Sequence, residues 1–193
     1  VNLNEYKKRL KLNERPKILL ASRLLWSKGV GDYVDAIKIL NKKGKSLEFL
    51  LAGFSDTENP DHIKDEFIKN WQNQKLLTFL GWVEDMPELL SNIDIFCLPS
   101  YYGEGIPKSL IEATASGIPC ITTDTPGCRS AVKNNENGFL VGISNPKEIA
   151  SSIEKLTENK KLYLDMSEKS RRLAERNFDE EAIINQTLNL YEK

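Results

Sequence analysis

Lysine and arginine total 27 and aspartate and glutamate 28 over 193 residues, a formal charge of −1, so the chain as a whole has no field to gather nucleic acid or an acidic membrane surface. With 40% hydrophobic and 28% charged residues, it is neither disordered nor fibrous, and one domain of this length buries about 70% of its unfolded surface. Three cysteines without a C-x-x-C pair, Cys97, Cys120 and Cys128, fit a reducing compartment. His62 is the single histidine, so no histidine-based metal site is expected.

No apolar run approaches the roughly 18 residues that span a bilayer, and no leader-like stretch opens the chain. A chain that starts on Val1 is expected to be an excised piece of a longer protein. Residues 7 to 15 are charged and lack apolar periodicity, which places the start of order near Pro16. Within them KKRLK (7 to 11) reads as a solvated helix face or as a contact with anionic lipid, a contact that would need a second signal for firm anchoring.

KILLAS (17 to 22) is a short apolar strand. RLLWSKG (23 to 29) then leads into VGDYVDAIKILNKKG, where Val30, Tyr33, Val34, Ile37 and Leu40 keep helical spacing. The connecting loop has neither the G-x-G-x-x-G of a dinucleotide fold nor the G-x-x-x-x-G-K-S/T of a phosphate-binding NTPase, which removes support for both classes. It carries Arg23 and Lys28 instead, at the carboxyl end of a strand, where open α/β sheets bind ligands. On spacing alone these cations read first as solvated surface, because Lys and Arg are mostly exposed.

LEFLLAG (47 to 53) is the second strand. DTENPDHIKDEFIKNW is an amphipathic helix entered through Asp56 or Asn59 as a cap, with Pro60 near its start and His62 on the surface of the first turn. LLTFLG (76 to 81) is the third strand. Trp82, Val83, Glu84 and Asp85 lead on into the short helix MPELLSN, with Trp82 read first as a packing residue, because large aromatics mainly bury area.

The densest stretch is PSYYGEGIPKSLIEATASGIPCITTD (99 to 124). The apolar run IDIFCLP is a fully buried strand, and Gly103 and Gly105 bracket Glu104 in a loop whose backbone can approach a ligand. Pro107 suits the first helical position, which turns the free N–H groups of Lys108 and Ser109 and the positive helix end toward that loop. Lys108 opposes the helix dipole there unless an anion sits beside it. Glu112 is the other charge in an otherwise small and apolar helix, and its plain reading is an i,i+4 pair with Lys108, contributing roughly 0.2–0.5 kcal/mol. Gly117 stops the helix before the strand PCITTD.

TPGCRSAVKNNENGFLV gives a turn, a short helical stretch and a sixth strand at GFLV (138 to 141). Asn145 caps a further helix with Pro146 at its first position, and two charged amphipathic helices end the chain. Six strands alternating with helices imply a Rossmann-like, doubly wound parallel sheet covered on both faces. The loops carrying Arg23 and Lys28, Trp82 and Val83, Glu104 to Ser109, and Thr125 to Gly127 then converge at one edge.

The order EGIPKSLIEATASGIPCITTD, with Glu104 and Glu112 separated by seven residues, followed by TPGCR, resembles the signature of family 4 retaining glycosyltransferases that use nucleotide sugars. Ser130 stands where many relatives carry a glutamate after the arginine, so no role passes to it. The resemblance runs from end to end and implies the C-terminal, donor-binding half of a GT-B architecture, with residues 1–15 leading out of the inter-domain linker and 16–193 forming the donor domain. The last helix resembles the one that crosses back to brace the N-terminal acceptor domain, which this chain lacks.

The implied reaction moves a sugar from a UDP- or GDP-linked donor to a glycan or lipid-linked acceptor with retention, in polysaccharide or glycoconjugate synthesis, without a cofactor or metal. The implied location is the cytoplasm, with peripheral attachment at the inner membrane face. Residue by residue, the resemblance puts Arg23 and Lys28 on the donor diphosphate with the Gly105, Ile106, Pro107, Lys108 and Ser109 segment. It puts Glu104 against the donor sugar, Glu112 on the ribose hydroxyls, and the Val83 backbone near the nucleobase. Glu104, Arg23 and Lys28 are thus the candidate catalytic groups. A nucleotide-sugar epimerase of the same architecture and a non-catalytic nucleotide-binding module are the alternatives, and the absence of histidine at the loop ends counts against the epimerase.

Overall fold

The computed structural model of the chain describes residues 1–7, 11–103 and 105–191. Glu104 and the middle of the KKRLK run, residues 8–10, lie outside these. The described residues hold six strands: β1 (Lys17–Ala21), β2 (Glu48–Ala52), β3 (Thr78–Gly81), β4 (Ile95–Leu98), β5 (Cys120–Thr123) and β6 (Gly138–Val141). All pair in parallel in the order β3-β2-β1-β4-β5-β6. The chain therefore winds outward from β1 in one direction, returns to the other side of β1, and winds outward again. That reversal between β1 and β4 is where a doubly wound sheet opens a crevice at the carboxyl ends of its strands.

Composition explains each strand's place. Every residue of β4 (IFCL) and β5 (CITT) is buried, as expected of near-continuous apolar runs covered on both faces, whereas the edge strand β3 alternates exposed and half-buried positions. Eight helices accompany the strands: α1 (Val30–Lys42), α2 (Asp65–Asn73), α3 (Met86–Ser91), α4 (Lys108–Ala115), α5 (Pro126–Ala131), α6 (Pro146–Glu158), α7 (Lys160–Asn177) and α8 (Glu180–Tyr191). The predicted stripe Val30, Tyr33, Val34, Ile37 and Leu40 is buried as a set. Helix α1 packs against α6 and α4 against α7, which covers the two faces as right-handed crossovers require. Asn145 caps α6 by accepting the Glu148 N–H, and Pro146 occupies its first position.

Three expectations need correction. Ordered contacts begin well before Pro16: Tyr6 is buried in the core, and the Arg171 guanidinium donates to the carbonyls of Leu3, Tyr6 and Ala115. A short segment with one aromatic anchor and satisfied carbonyls needs no periodicity to be fixed. Secondly, α2 starts at Asp65, and neither Asp56 nor Asn59 caps it. The Asp/Asn/Pro cluster forms turns instead, with Asn59 accepting from the backbone of Asp61 and His62, and His62 pairs with Leu25 in an isolated antiparallel bridge. Thirdly, Pro107 is the N-cap of α4, at ψ 123°, and the helix proper opens at Lys108.

Cys97, Cys120 and Cys128 are buried free thiols. Burial pushes the Cys97 and Cys120 thiols upward, which keeps them protonated and chemically quiet.

Candidate functional site

The loop after β1 is built to present cations at the reversal point. Trp26 packs edge-on against Phe67 and Trp71, at 5.1 and 6.1 Å between centroids, which anchors the single 3-10 turn Trp26–Lys28 to α2. Asp61 fastens the same turn from the other side, accepting from the Ser27 amide at 2.9 Å and from the Ser27 hydroxyl. Gly29 ends the turn at φ 77°, and a Cβ there would stand 2.1 Å from the Pro99 carbonyl oxygen. Only glycine fits, because the backbone of the β1 loop lies directly on the chain leaving β4. The Ser27 carbonyl completes the seam by accepting the Tyr101 and Tyr102 amides at 2.9 and 3.1 Å.

Lys28 is thereby buried, 5% exposed, with its ammonium 4.8 Å from the centre of the Tyr102 ring. Arg23 approaches the same ring, its guanidinium carbon 5.8 Å from the centre, and pairs with Asp56 at 3.2 Å. Neither Tyr102 nor Asp56 belongs to the predicted set. The shared aromatic face attracts both cations and offsets part of the cost of placing two like charges near one another.

Across the crevice, the Leu110 and Ile111 amides close the first turn of α4 on the Pro107 carbonyl. The amides of Lys108 and Ser109 stand in the first turn of the helix, which has no intrahelical carbonyl to offer them and where the dipole favours negative charge. Glu112 follows one turn later, 6% exposed. Its Oε1 accepts the Tyr6 hydroxyl at 3.1 Å and faces the Lys108 ammonium at 3.4 Å. The i,i+4 pair thus exists, yet the side chain of Lys108 is 81% exposed while that of Glu112 is 8% exposed. A surface pair does not explain why a carboxylate is buried. Burial, then the neighbouring Glu112, pushes the Tyr6 phenol well above its ordinary range, so Tyr6 acts as a hydrogen-bond donor.

These groups line one cleft of about 320 Å³, whose walls include Arg23, Lys28, Val83, Pro107, Lys108, Ser109 and Glu112. Gly105 and Ile106 are exposed and fall outside that lining, while Glu104 lies outside the described residues. The loop after β5 does not join the described lining either, because Thr125 opens α5 and Ser130 bonds back to Pro126 within it. At the far rim Trp82 is 66% exposed and meets Phe54 edge-on at 5.5 Å. Trp82 is therefore not the packing residue expected from its size. It forms an aromatic wall where the loops after β2 and β3 meet.

A cleft at the topological reversal, with two cations, a helix start and a buried carboxylate, has the chemistry to receive an anionic ligand with hydroxyl groups. The family described as Glycosyl transferases group 1 matches residues 3–173, and the chain belongs to that family. The N,N'-diacetylbacillosaminyl-diphospho-undecaprenol alpha-1,3-N-acetylgalactosaminyltransferase of Campylobacter jejuni is 35% identical over 186 residues, 96% of this chain and 47% of that protein. The capsular polysaccharide biosynthesis glycosyltransferase CapM of Staphylococcus aureus is 30% identical over 180 residues, 93% of this chain and 47% of its own. The chain spans about half the length of the curated relatives it matches.

Solved structures agree on the fold. HepE of Anabaena in complex with UDP superposes with a TM-score of 0.87 at 21% identity, over 100% of this chain and 55% of that one. The C-terminal domain of the group 1 glycosyl transferase LpcC of Francisella tularensis superposes with a TM-score of 0.78 at 20% identity, over 93% of this chain and 99% of that one. The six-stranded parallel architecture is that of the GT-B glycosyltransferases.

Proposed function

We propose that this chain is the donor-binding half of a retaining glycosyltransferase that takes a sugar from a nucleoside diphosphate sugar and delivers it to a glycan or lipid-linked acceptor held by a second, N-terminal domain. The observation that carries the reading is the convergence of Arg23, Lys28, the start of α4 and the buried Glu112 on one cleft at the sheet reversal. As the glycosidic bond breaks, the departing diphosphate gains negative charge. Cations and helix amides already fixed by packing stabilise that state more than the ground state and need no reorganisation to do so. Lys28 suits this best, since it is buried and held on a braced turn; Arg23 adds a second donor, shared with Asp56.

Glu112 is assigned to the ribose hydroxyls and the Trp82–Val83 rim to the nucleobase. Glu104, with Gly105 and Ile106 beside it, is assigned to the donor sugar on family resemblance. The two glutamates have different tasks in this reading. They are not the facing acid and nucleophile of a glycosidase, which must flank one bond. A lipid-linked acceptor is supported by the C. jejuni relative, whose name specifies a diphospho-undecaprenol substrate, and it would place the full enzyme at a membrane face. Among the described residues no helix is long and apolar enough to cross a membrane. Exposed Ile183, Ile184 and Leu188 on α8 offer an apolar surface for the acceptor domain.

Titration calorimetry with UDP, GDP, ADP and their sugar conjugates tests the reading. A dissociation constant between about 1 μM and 1 mM, roughly 4 to 8 kcal/mol, is expected for at least one of them. Absence of heat and of thermal shift at millimolar ligand overturns it. Transfer itself is expected only with the acceptor domain present, because holding two substrates in register can supply roughly 7–11 kcal/mol that one open face does not. Acceptor-dependent product from this chain alone, seen by mass spectrometry, would contradict that division of labour.

A further inference from the structure

The buried carboxylate of Glu112 is held from outside its own helix as well as from within it. Both contacts that described residues make with it fall on Oε1, one from Lys108 and one from Tyr6. Lys108 is a long, solvated side chain whose pairing is screened and weakly directional. Tyr6 is 6% exposed, and its ring is set in the core, so its hydroxyl fixes where the carboxylate points. A carboxylate offers about four acceptor sites, and a grip on Oε1 leaves Oε2 with capacity for the hydroxyl groups of a ligand in the cleft that Glu112 lines.

Tyr6 and Glu112 are 106 positions apart in sequence. A single residue ties their segments together: the Arg171 guanidinium donates to the Tyr6 carbonyl at 2.8 Å and to Ala115, the last residue of α4, at 2.6 Å. Arg171 therefore sets the distance between the N-terminal segment and the helix that carries Glu112. Any shift of that segment moves the Tyr6 hydroxyl relative to the carboxylate.

We propose that Tyr6 is a positioning residue for Glu112, holding one carboxylate oxygen so that the other meets the ribose of a bound nucleoside diphosphate, and that the seating of the N-terminal segment is thereby coupled to nucleotide recognition. The proposal rests on the ribose role assigned to Glu112 above. Its test separates the two. Tyr6→Phe keeps the ring and removes only the hydroxyl, and Glu112→Gln removes the charge. For each protein, calorimetry gives the affinity for the tightest binder among UDP, GDP and ADP, for its 2′,3′-dideoxy form, and for inorganic pyrophosphate.

Tyr6→Phe is expected to weaken the ribonucleotide about 3- to 10-fold and to leave the dideoxy form and pyrophosphate unchanged, so that discrimination for ribose shrinks. The double variant should discriminate no less than Glu112→Gln alone, because the two residues act as one unit. Arg171→Gln, which releases the segment without touching the cleft, should give the same ligand pattern and serves if Tyr6→Phe fails to fold. Equal weakening of all three ligands by Tyr6→Phe would indicate a structural role and overturn the proposal. So would wild-type discrimination in Tyr6→Phe when Glu112→Gln has lost it, with the ribose role intact. Wild-type discrimination in both variants would remove the ribose role and the proposal with it.

Discussion

Asp94 and Glu112 are both buried carboxylates, placed at opposite ends of the sheet. Asp94, fully buried just before β4, accepts from the Asn13 amide at 3.0 Å, the Asn13 side chain at 3.0 Å and the Lys17 amide at 2.7 Å. Its two oxygens are both engaged, and they fasten the entry of β1 to the entry of β4. Glu112 is nearly as buried, but the described contacts engage one of its oxygens, and the residue lines a cleft. Burial is thus common to a carboxylate that fastens two strands and to one that lines a cleft. What separates them is whether the protein satisfies the group completely, since a buried charge with spare acceptor capacity is costly unless something else comes to it.

The contrast is sharpest under mutation. Asp94→Ala strands three donors and should destabilise the fold by about 3 kcal/mol or more, lowering the melting temperature by about 6–12 °C for a chain of this size. Nucleotide affinity of the folded protein should not change; a calorimetric titration below the transition checks both halves of the statement. Lys28→Met keeps the buried stem and deletes the charge. Diphosphate affinity should fall about 10- to 150-fold, the value of a charge-assisted hydrogen bond of about 1.5–3 kcal/mol.

Glu112→Gln should have the reverse profile to Asp94→Ala. We expect about a tenfold loss of ribonucleotide affinity, with a melting temperature within about 2 °C of the parent, because the amide oxygen still accepts from Tyr6. A large melting shift with unchanged affinity would make Glu112 a second Asp94. Lys108→Ala is the smallest. An exposed i,i+4 pair contributes a few tenths of a kcal/mol, so stability measured by urea titration should barely move, and a loss above about 1 kcal/mol would mean that Lys108 braces the carboxylate.

The sheet was open to sequence reading because its signals are local. Apolar runs such as IDIFCLP, punctuated by Gly and Pro, mark strands; the stripe in α1 marks a buried helix face; and strand–helix alternation fixes parallel winding. That Arg23, Lys28 and the start of α4 share one cleft follows from that topology, since carboxyl-end loops converge there; the roles proposed for them rest on the family resemblance. The partners were not legible. Tyr6 meets Glu112, Asp56 meets Arg23, and Tyr102 lies by both cations only after the chain has folded, and no periodicity encodes a contact between residues so far apart. Trp82 and α2 failed for a different reason. Size alone favours burial for a tryptophan, and Asp, Asn and Pro favour turns as readily as helix starts, so a rim position and a β-bridge decided what composition left open.

The seam at Gly29 has a consequence for how this site can change. With a glycine of positive φ pressed on Pro99, and the Ser27 carbonyl receiving two amides from the opposite loop, the walls nearest the sheet form a single stiff block. No room remains at Gly29 for any side chain, since a Cβ there would meet the Pro99 carbonyl. If the proposed donor reading holds, adaptation to a different ligand is expected at the perimeter, at Phe54, Trp82 and the residues just before Pro107, where an exchange does not prise two strands apart. A mutational library aimed at altering ligand preference should leave the inner wall untouched and spend its diversity on that outer ring.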